Sequence, residues 1–345
     1  MKLGMTLSYA GGFKEAAQQA ADLERAGLDM VWVAEAYGFD GVSYMGFLAA
    51  VTERVEIAAG ILPIYTRTPT LLAMTAAGVD ALSDGRCVLG LGASGPQVIE
   101  GWHGVPYTAP LGRTREIIEI CRAVWRRERI TYEGKHYTLP LPPDQGTGLG
   151  KPLKLITRPV RESIPIYIAS LGPKNVQLTA ELADGWLPFM FLPERAHEVW
   201  GDDLAAGAAK RSADLAPLEV VAAAMLAVGD EAAGFRDYAR PMLALYIGGM
   251  GARGKNFYND VACRYGYEAE AKEIQDLYLD GKKDEAAKAI PDELLEAMTI
   301  CGPEGYVRDR LTAYKEAGVT VLNAMMIAPD IPAMTTQVKE WMEHA

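Results

Sequence analysis

The chain has 345 residues, half of them apolar, and a formal net charge of -11, enough for a large core and without the clustered basic surface that a nucleic acid requires. No apolar run approaches the roughly 18 residues of a membrane span, and "MKLGMTLSYAGG" has neither the apolar stretch nor the cleavage pattern of a signal peptide. Four scattered cysteines (Cys87, Cys121, Cys263, Cys301) and four histidines (His103, His136, His197, His344) show no metal-ligand spacing, so the expectation is a soluble, cytoplasmic protein with no dedicated metal, membrane or nucleic-acid site.

In chain order, a first strand is expected near 2–8. "AADLERAGLDMVWVAE" then reads as an amphipathic helix closed by Gly27 and a strand at Met30 to Val33. Glu35 ends that strand, either as a solvated turn residue or helix cap, or as a group that contacts a ligand or moves a proton. A third strand near 55–60 ends at Gly60 in "AAGILPIYTRTP", where Thr68 is a helix N-cap and Pro69 the first helical residue. Bulky Ile61, Leu62 and Ile64 precede that helix in a loop and are placed as pocket walls.

The fourth strand, near 87–92, follows Gly85 and runs into "GLGASG", Gly90 to Gly95. This matches G-x-G-x-x-G, but it follows the fourth strand instead of the first, and the acidic residue downstream, Glu116, lies in the helical "GRTREIIEICRAVWRR". It reads as a glycine-lined strand end that admits a flat ligand, or as a plain turn. Residues of about 128–164 form a hairpin turning at Glu133-Gly134 and a Pro/Gly-rich loop. The fifth strand, Pro165 to Ser170, enters "IASLGPKN". With Pro173 at the first helical position, the N–H groups of Ser170, Leu171 and Gly172 lie at a positive helix end beside Lys174, which suits an anion. Many such loops hold nothing.

A sixth strand near 185–190 repeats the helix–glycine–strand phrase around Gly185, with Trp186 packed inside it. A seventh is expected near 218–228, helices with charged faces over about 231–300, and an eighth strand near 320–327 after Gly318. Apolar runs without strict alternation suit parallel strands buried on both faces. Eight of them among helices is the census of an α/β (β/α)8 TIM barrel, here a single domain over 1–345 with insertions of about 128–164 and 231–300. A doubly wound sheet is the alternative.

"WVAEAYGFD", "AAGILPIYTRTP", "GLGASGPQVIEGWHG" and "IPIYIASLGPKNVQLTAELADGWLPF" resemble, in this order, the cofactor-lining motifs of the luciferase-like monooxygenase superfamily, in its branch using the deazaflavin coenzyme F420. The resemblance covers most of residues 1–190 and returns at "GPEGYVRDRLTAYKEAGVTVL". It implies a coenzyme at the C-terminal mouth of the barrel and a cis peptide at Gly60-Ile61, followed by Leu62, behind its ring. It also implies that Gly92, Ala93 and Ser94 border the ring or its side chain, that Ser170, Leu171, Gly172, Pro173 and Lys174 hold a phosphate, and that the protein is a homo-oligomer, a dimer or higher.

Two departures weaken transfer of the proton chemistry. Glu35-Ala36 stands where several relatives carry Asp-His, and Pro96 where sugar- and alcohol-oxidising relatives carry a glutamate, with Glu100 displaced. Glu35, and His103 in "EGWHG", are the proton-donor candidates. Leu62, Trp102, Phe189 and Met190 suit a conjugated or aliphatic substrate, or belong to the core. The resemblance implies an F420-dependent oxidoreductase that moves a hydride between the deazaflavin and a small or medium organic substrate. An FMN-dependent two-component monooxygenase and a non-catalytic flavin- or deazaflavin-binding barrel are the alternatives.

Overall fold

The computed structural model describes residues 1–8 and 11–344. Parallel strands follow one another around a ring: β1 Lys2–Thr6, β2 Met30–Val33, β3 Glu56–Ala59, β4 Cys87–Gly92, β5 Ile166–Ala169, β6 Gly185–Leu187, β7 Glu219–Val228 and β8 Val321–Met326. The last strand closes on the first through Lys2↔Val321, Leu3↔Leu322 and Gly4↔Asn323. The ring is the expected (β/α)8 barrel, because a doubly wound sheet would leave two open edges.

The side chain of Lys2 fixes which residues face inward. Its ammonium reaches Glu56 on β3 at 2.8 Å and Glu219 on β7 at 3.4 Å, strands that flank β1 at one remove on either side. Residues 2, 4 and 6 therefore point into the barrel, and Leu3 and Met5 point out toward the helices. Met30, Trp32, Ala58, Val88, Tyr167, Val221 and Val321 fill the interior as a cluster of their own, apart from the larger core between strands and helices. Toward the C-terminal ends of β1 and β8 the inward residues Thr6 and Met325 are exposed, as is Ala223 midway along β7, so the barrel opens there into a mouth.

The helix starts follow local chemistry. Thr68 accepts the Leu71 amide at 3.3 Å, with Pro69 in the first turn. Gly27, Gly85 and Gly318 take left-handed backbone angles after their helices, as expected, but Gly185 does not. It begins β6, and a Cβ there would lie 2.6 Å from the Tyr167 ring, so this glycine serves packing inside the barrel and closes no helix.

Three other expectations need correction. The hairpin pairs Tyr132 with Leu139 and Glu133 with Thr138, which puts the turn at residues 134–137, later than Glu133-Gly134. The cause is Glu116, whose carboxylate accepts the amides of Lys135, His136 and Tyr137. Two short strands were not foreseen: Leu62–Pro63 beside the end of β4, and Thr299–Gly302 beside the end of β7. Both are too short for a legible apolar period. Before the second of them the 231–300 insertion is helical as expected, and its buried Leu243, Ile247, Ile274 and Leu294 join the core of the barrel helices.

Candidate active site

Trp32 forms the floor of the mouth. A Cβ on Gly4 would meet its Nε1 at 2.9 Å, and one on Gly60 its Cε3 at 3.2 Å, so the indole spans from β1 to β3. Above it the Gly60-Ile61 peptide is cis, as the resemblance implied. Ile61 lies against β4: a Cβ on Gly92 would be 3.1 Å from the Ile61 side chain and 3.4 Å from Ala169. Three expected ligand-lining segments, from β3, β4 and β5, thus meet at one place, and glycines keep their backbones uncovered. Gly90 is required for closure itself, since a Cβ there would fall 1.7 Å from the Ala59 carbonyl oxygen.

Leu62 and Ile64 behave differently from Ile61. Both are fully buried in the core, and Leu62 faces Gly41, so neither walls the mouth. Leu62 begins the short strand beside β4 and Ile64 follows it in the turn, both packed into the core outside the barrel.

The Glu35 side chain is 8 % exposed and bound bidentately by Arg67, at 2.7 and 2.9 Å, while it accepts the Gly41 amide at 2.7 Å. It therefore ties the loop after β2 to the loop after β3 and caps the helix beginning at Gly41. The carboxylate in turn holds the Arg67 proton more firmly than usual. With both oxygens engaged, Glu35 positions its neighbours, and the structure does not favour it as a proton donor. His103 is half-buried in the loop after β4, and no hydrogen bond or ion pair joins it to Glu35 among the described residues. Its neighbour Trp102, exposed, stands 6.3 Å from the ring of Tyr37.

In the same loop Ser94 has a left-handed φ of 56°, and its carbonyl accepts the Tyr107 hydroxyl at 3.3 Å. Ala93 is partly buried against the core. Tyr65, 5.2 Å from Tyr107, donates to the Thr108 carbonyl, and burial pushes its phenol up to about 12.

Past β5, Ser170 is buried with its hydroxyl 2.8 Å from that of Thr179, so its side chain does not face outward. Trp186, buried as expected, donates to the Ser170 carbonyl at 2.9 Å, and Trp200 to that of Leu171 at 3.1 Å. These bonds turn the loop's carbonyls inward. Among the described residues the amides of Leu171, Gly172 and Lys174 have no acceptor, Pro173 lacks an amide hydrogen, and Lys174 is exposed. A cleft of about 310 Å³ opens against them, lined also by Phe257, Asp260, Val261 and Arg264. Free amides at a helix start suit an anion.

An aromatic wall completes the mouth. Phe189, just after β6, stands 4.1 Å from Tyr246 and 5.4 Å from Tyr258, and the two tyrosines are 4.8 Å apart. Burial raises the Tyr258 phenol, with Tyr246 and Tyr107 adding to it. Met190, by contrast, is buried. Tyr246 and Tyr258 belong to the 231–300 insertion, where spacing gave no sign of a site.

Residues 1–321 match the family of luciferase-like monooxygenases. A Mycobacterium tuberculosis protein provisionally named a coenzyme F420-dependent oxidoreductase is 44% identical over 328 residues, covering 93% of this chain and 94% of its own length. The 5,10-methylenetetrahydromethanopterin reductase of Archaeoglobus fulgidus is 30% identical over 315 residues, covering 89% and 88%. Among solved structures, the coenzyme F420-dependent tetrahydromethanopterin reductase of Methanopyrus kandleri superposes with a TM-score of 0.82 at 21% identity, over 99% of this chain and 98% of that one.

Proposed function

The chain belongs to the luciferase-like monooxygenase family, and from that premise we propose that it is a coenzyme F420-dependent oxidoreductase acting on a small or medium organic substrate. The observation that carries the reading is the convergence of Ile61, Gly92 and Ala169 next to the free amides of Leu171, Gly172 and Lys174. The residues fit that coenzyme: bare backbone for a flat ring beside an anion-binding helix start for a phosphate. When bound, F420 supplies the two-electron chemistry, exchanging a hydride with the substrate.

The chain's own residues do the rest. Gly60 and Ile61 back the ring over Trp32, and Gly92 to Ser94 border it. Leu171, Gly172 and Lys174 anchor the phosphate through backbone amides, Pro173 sets the first helical turn, and Ser170 locks the loop from within. Phe189, Tyr246 and Tyr258 exclude water from one side of the mouth. Glu35 is a positioning residue, and His103 is the proton-donor candidate. Titration of the purified protein with F420 and with FMN, followed by ring fluorescence, tests the assignment. Saturable F420 binding without FMN binding is expected; the reverse result supports the FMN-dependent monooxygenase and defeats this reading. Turnover of a substrate panel that depends on bound F420 removes the non-catalytic alternative.

We further propose that the protein is a cytoplasmic homo-oligomer, with a second copy on one apolar outer face. Helix Gly41–Val51 contains no charged residue, and helix Pro69–Leu82 only the buried Asp80. Their outer faces expose Phe47, Leu71, Met74 and Leu82, and the strap after the hairpin adds Ile156 and Val160. A surface without charge offers nothing to a polar partner, whereas an identical copy buries it by twofold symmetry. The free cysteines, three of them buried, accord with a reducing compartment. Sedimentation should give a dimer or larger assembly, and Met74→Arg should shift it toward monomer; a monomeric parent protein removes the proposal.

A further inference from the structure

The barrel floor holds polar atoms that the coenzyme reading has not used. Trp32 is 2 % exposed, and its Nε1 has no hydrogen-bond partner. Asn323 is likewise inward on β8, and its buried Oδ1 has none. Both flank Gly4: a Cβ there would meet Trp32 Nε1 at 2.9 Å, and Asn323 is the β8 register partner of Gly4. Asn323 Nδ2 donates to Thr6 Oγ1 at 2.8 Å. Thr6 is inward and exposed at the end of β1.

The chemistry of these groups sets a direction. An indole can only donate, so the oxygen of the Asn323 amide belongs on the side of Trp32 and the nitrogen on the side of Thr6. Trp32 Nε1 and Asn323 Oδ1 are thus a donor and an acceptor left over beside Gly4, complementary in type. Because Thr6 Oγ1 already accepts from Asn323, its own proton is left to point into the mouth.

We propose that Thr6, oriented by Asn323 and Trp32, is a coenzyme-binding residue that donates a hydrogen bond to a carbonyl oxygen or ring nitrogen of the bound deazaflavin. This rests on the F420 reading. The three residues form a relay whose polarity is imposed from below by a side chain that cannot accept. A ring placed between Ile61 and the aromatic wall would then be held at its polar edge as well as at its phosphate.

Fluorescence titration with F420 tests the proposal on three proteins: the parent, Thr6→Val, which keeps the shape and removes the hydroxyl, and Thr6→Ser, which keeps the hydroxyl. Thr6→Val is expected to weaken F420 binding roughly fivefold to tenfold, the loss of one hydrogen bond, while Thr6→Ser stays within about twofold of the parent. Thr6 is exposed, so all three should share one melting temperature. A folded Thr6→Val protein that binds F420 as tightly as the parent overturns the proposal, and so does a Thr6→Ser protein as weak as Thr6→Val. Failure of the parent itself to bind F420 is a separate result; it removes the coenzyme assignment and the role of Thr6 with it.

Discussion

From Gly60 to Gly172 the site is built by what the side chains leave out. Gly60, Gly90 and Gly92 stand where a Cβ would strike Trp32, the Ala59 carbonyl or Ile61, and Gly172 opens the helix that follows β5. The 231–300 insertion works by addition. Its helix Phe257–Arg264 sets the Phe257 ring 3.3 Å from where a Gly172 Cβ would lie, and Phe189 meets Tyr246 in a tilted contact and Tyr258 edge to face. Omission leaves a signature in the sequence, because glycine after an apolar run is rare enough to notice. Addition does not, since an aromatic on an amphipathic helix reads the same whether it faces a core or a ligand. The first region should therefore carry anchoring, where any intrusion is severe, and the second enclosure, where losses are graded.

Gly172→Asp is the sharpest way to break that contrast. Gly172 has φ -73° and ψ 149°, which any residue adopts, so the fold should survive while a carboxylate faces the anion site. F420 affinity should fall on the order of 100-fold or more, because juxtaposed like charges cost several kcal/mol. Unchanged affinity in a folded protein would displace the phosphate from this loop.

Glu35→Gln comes next and acts on stability. It removes the charge that pairs with Arg67, itself 14 % exposed, and should cost about 2 kcal/mol in urea denaturation. If stability is unchanged but turnover collapses while F420 binding persists, Glu35 is a proton-transfer residue after all.

The smallest effect is expected in the insertion. Phe257 is largely exposed, so Phe257→Ala should leave the fold intact and weaken F420 binding by about 1 kcal/mol, roughly fivefold, through lost apolar contact. A loss as large as that of Gly172→Asp would move the anchor from the loop after β5 into the insertion.

Legibility followed the range of the interactions. Thr68 and Pro69 start a helix because their chemistry is settled within one turn, and parallel strands announce themselves as apolar runs between helices. Eight strands, their order and the strand ends and loops carrying Gly60, Gly92 and Gly172 could therefore be read along the chain. The family motifs added the cis peptide at Gly60-Ile61. The turn of the hairpin could not be read, because Glu116, on a separate helix, selects it. Nor could the fates of Ile61 and Leu62 be told apart by type: one faces Gly92, and the other is fully buried against Gly41.

By itself, then, the sequence determined the barrel, the helix starts and the bare backbone where a ring and an anion can approach, all properties carried by adjacent residues. The tertiary structure decided which groups are free to act. It engaged both oxygens of Glu35 through Arg67, 32 residues away, turned Ser170 inward onto Thr179, brought Tyr258 over the mouth from the insertion, and set Asn323 beside Thr6 across 317 residues of chain. Hydrogen-bonding capacity belongs to a residue type, but whether it is spent or left over depends on neighbours that only chain closure supplies.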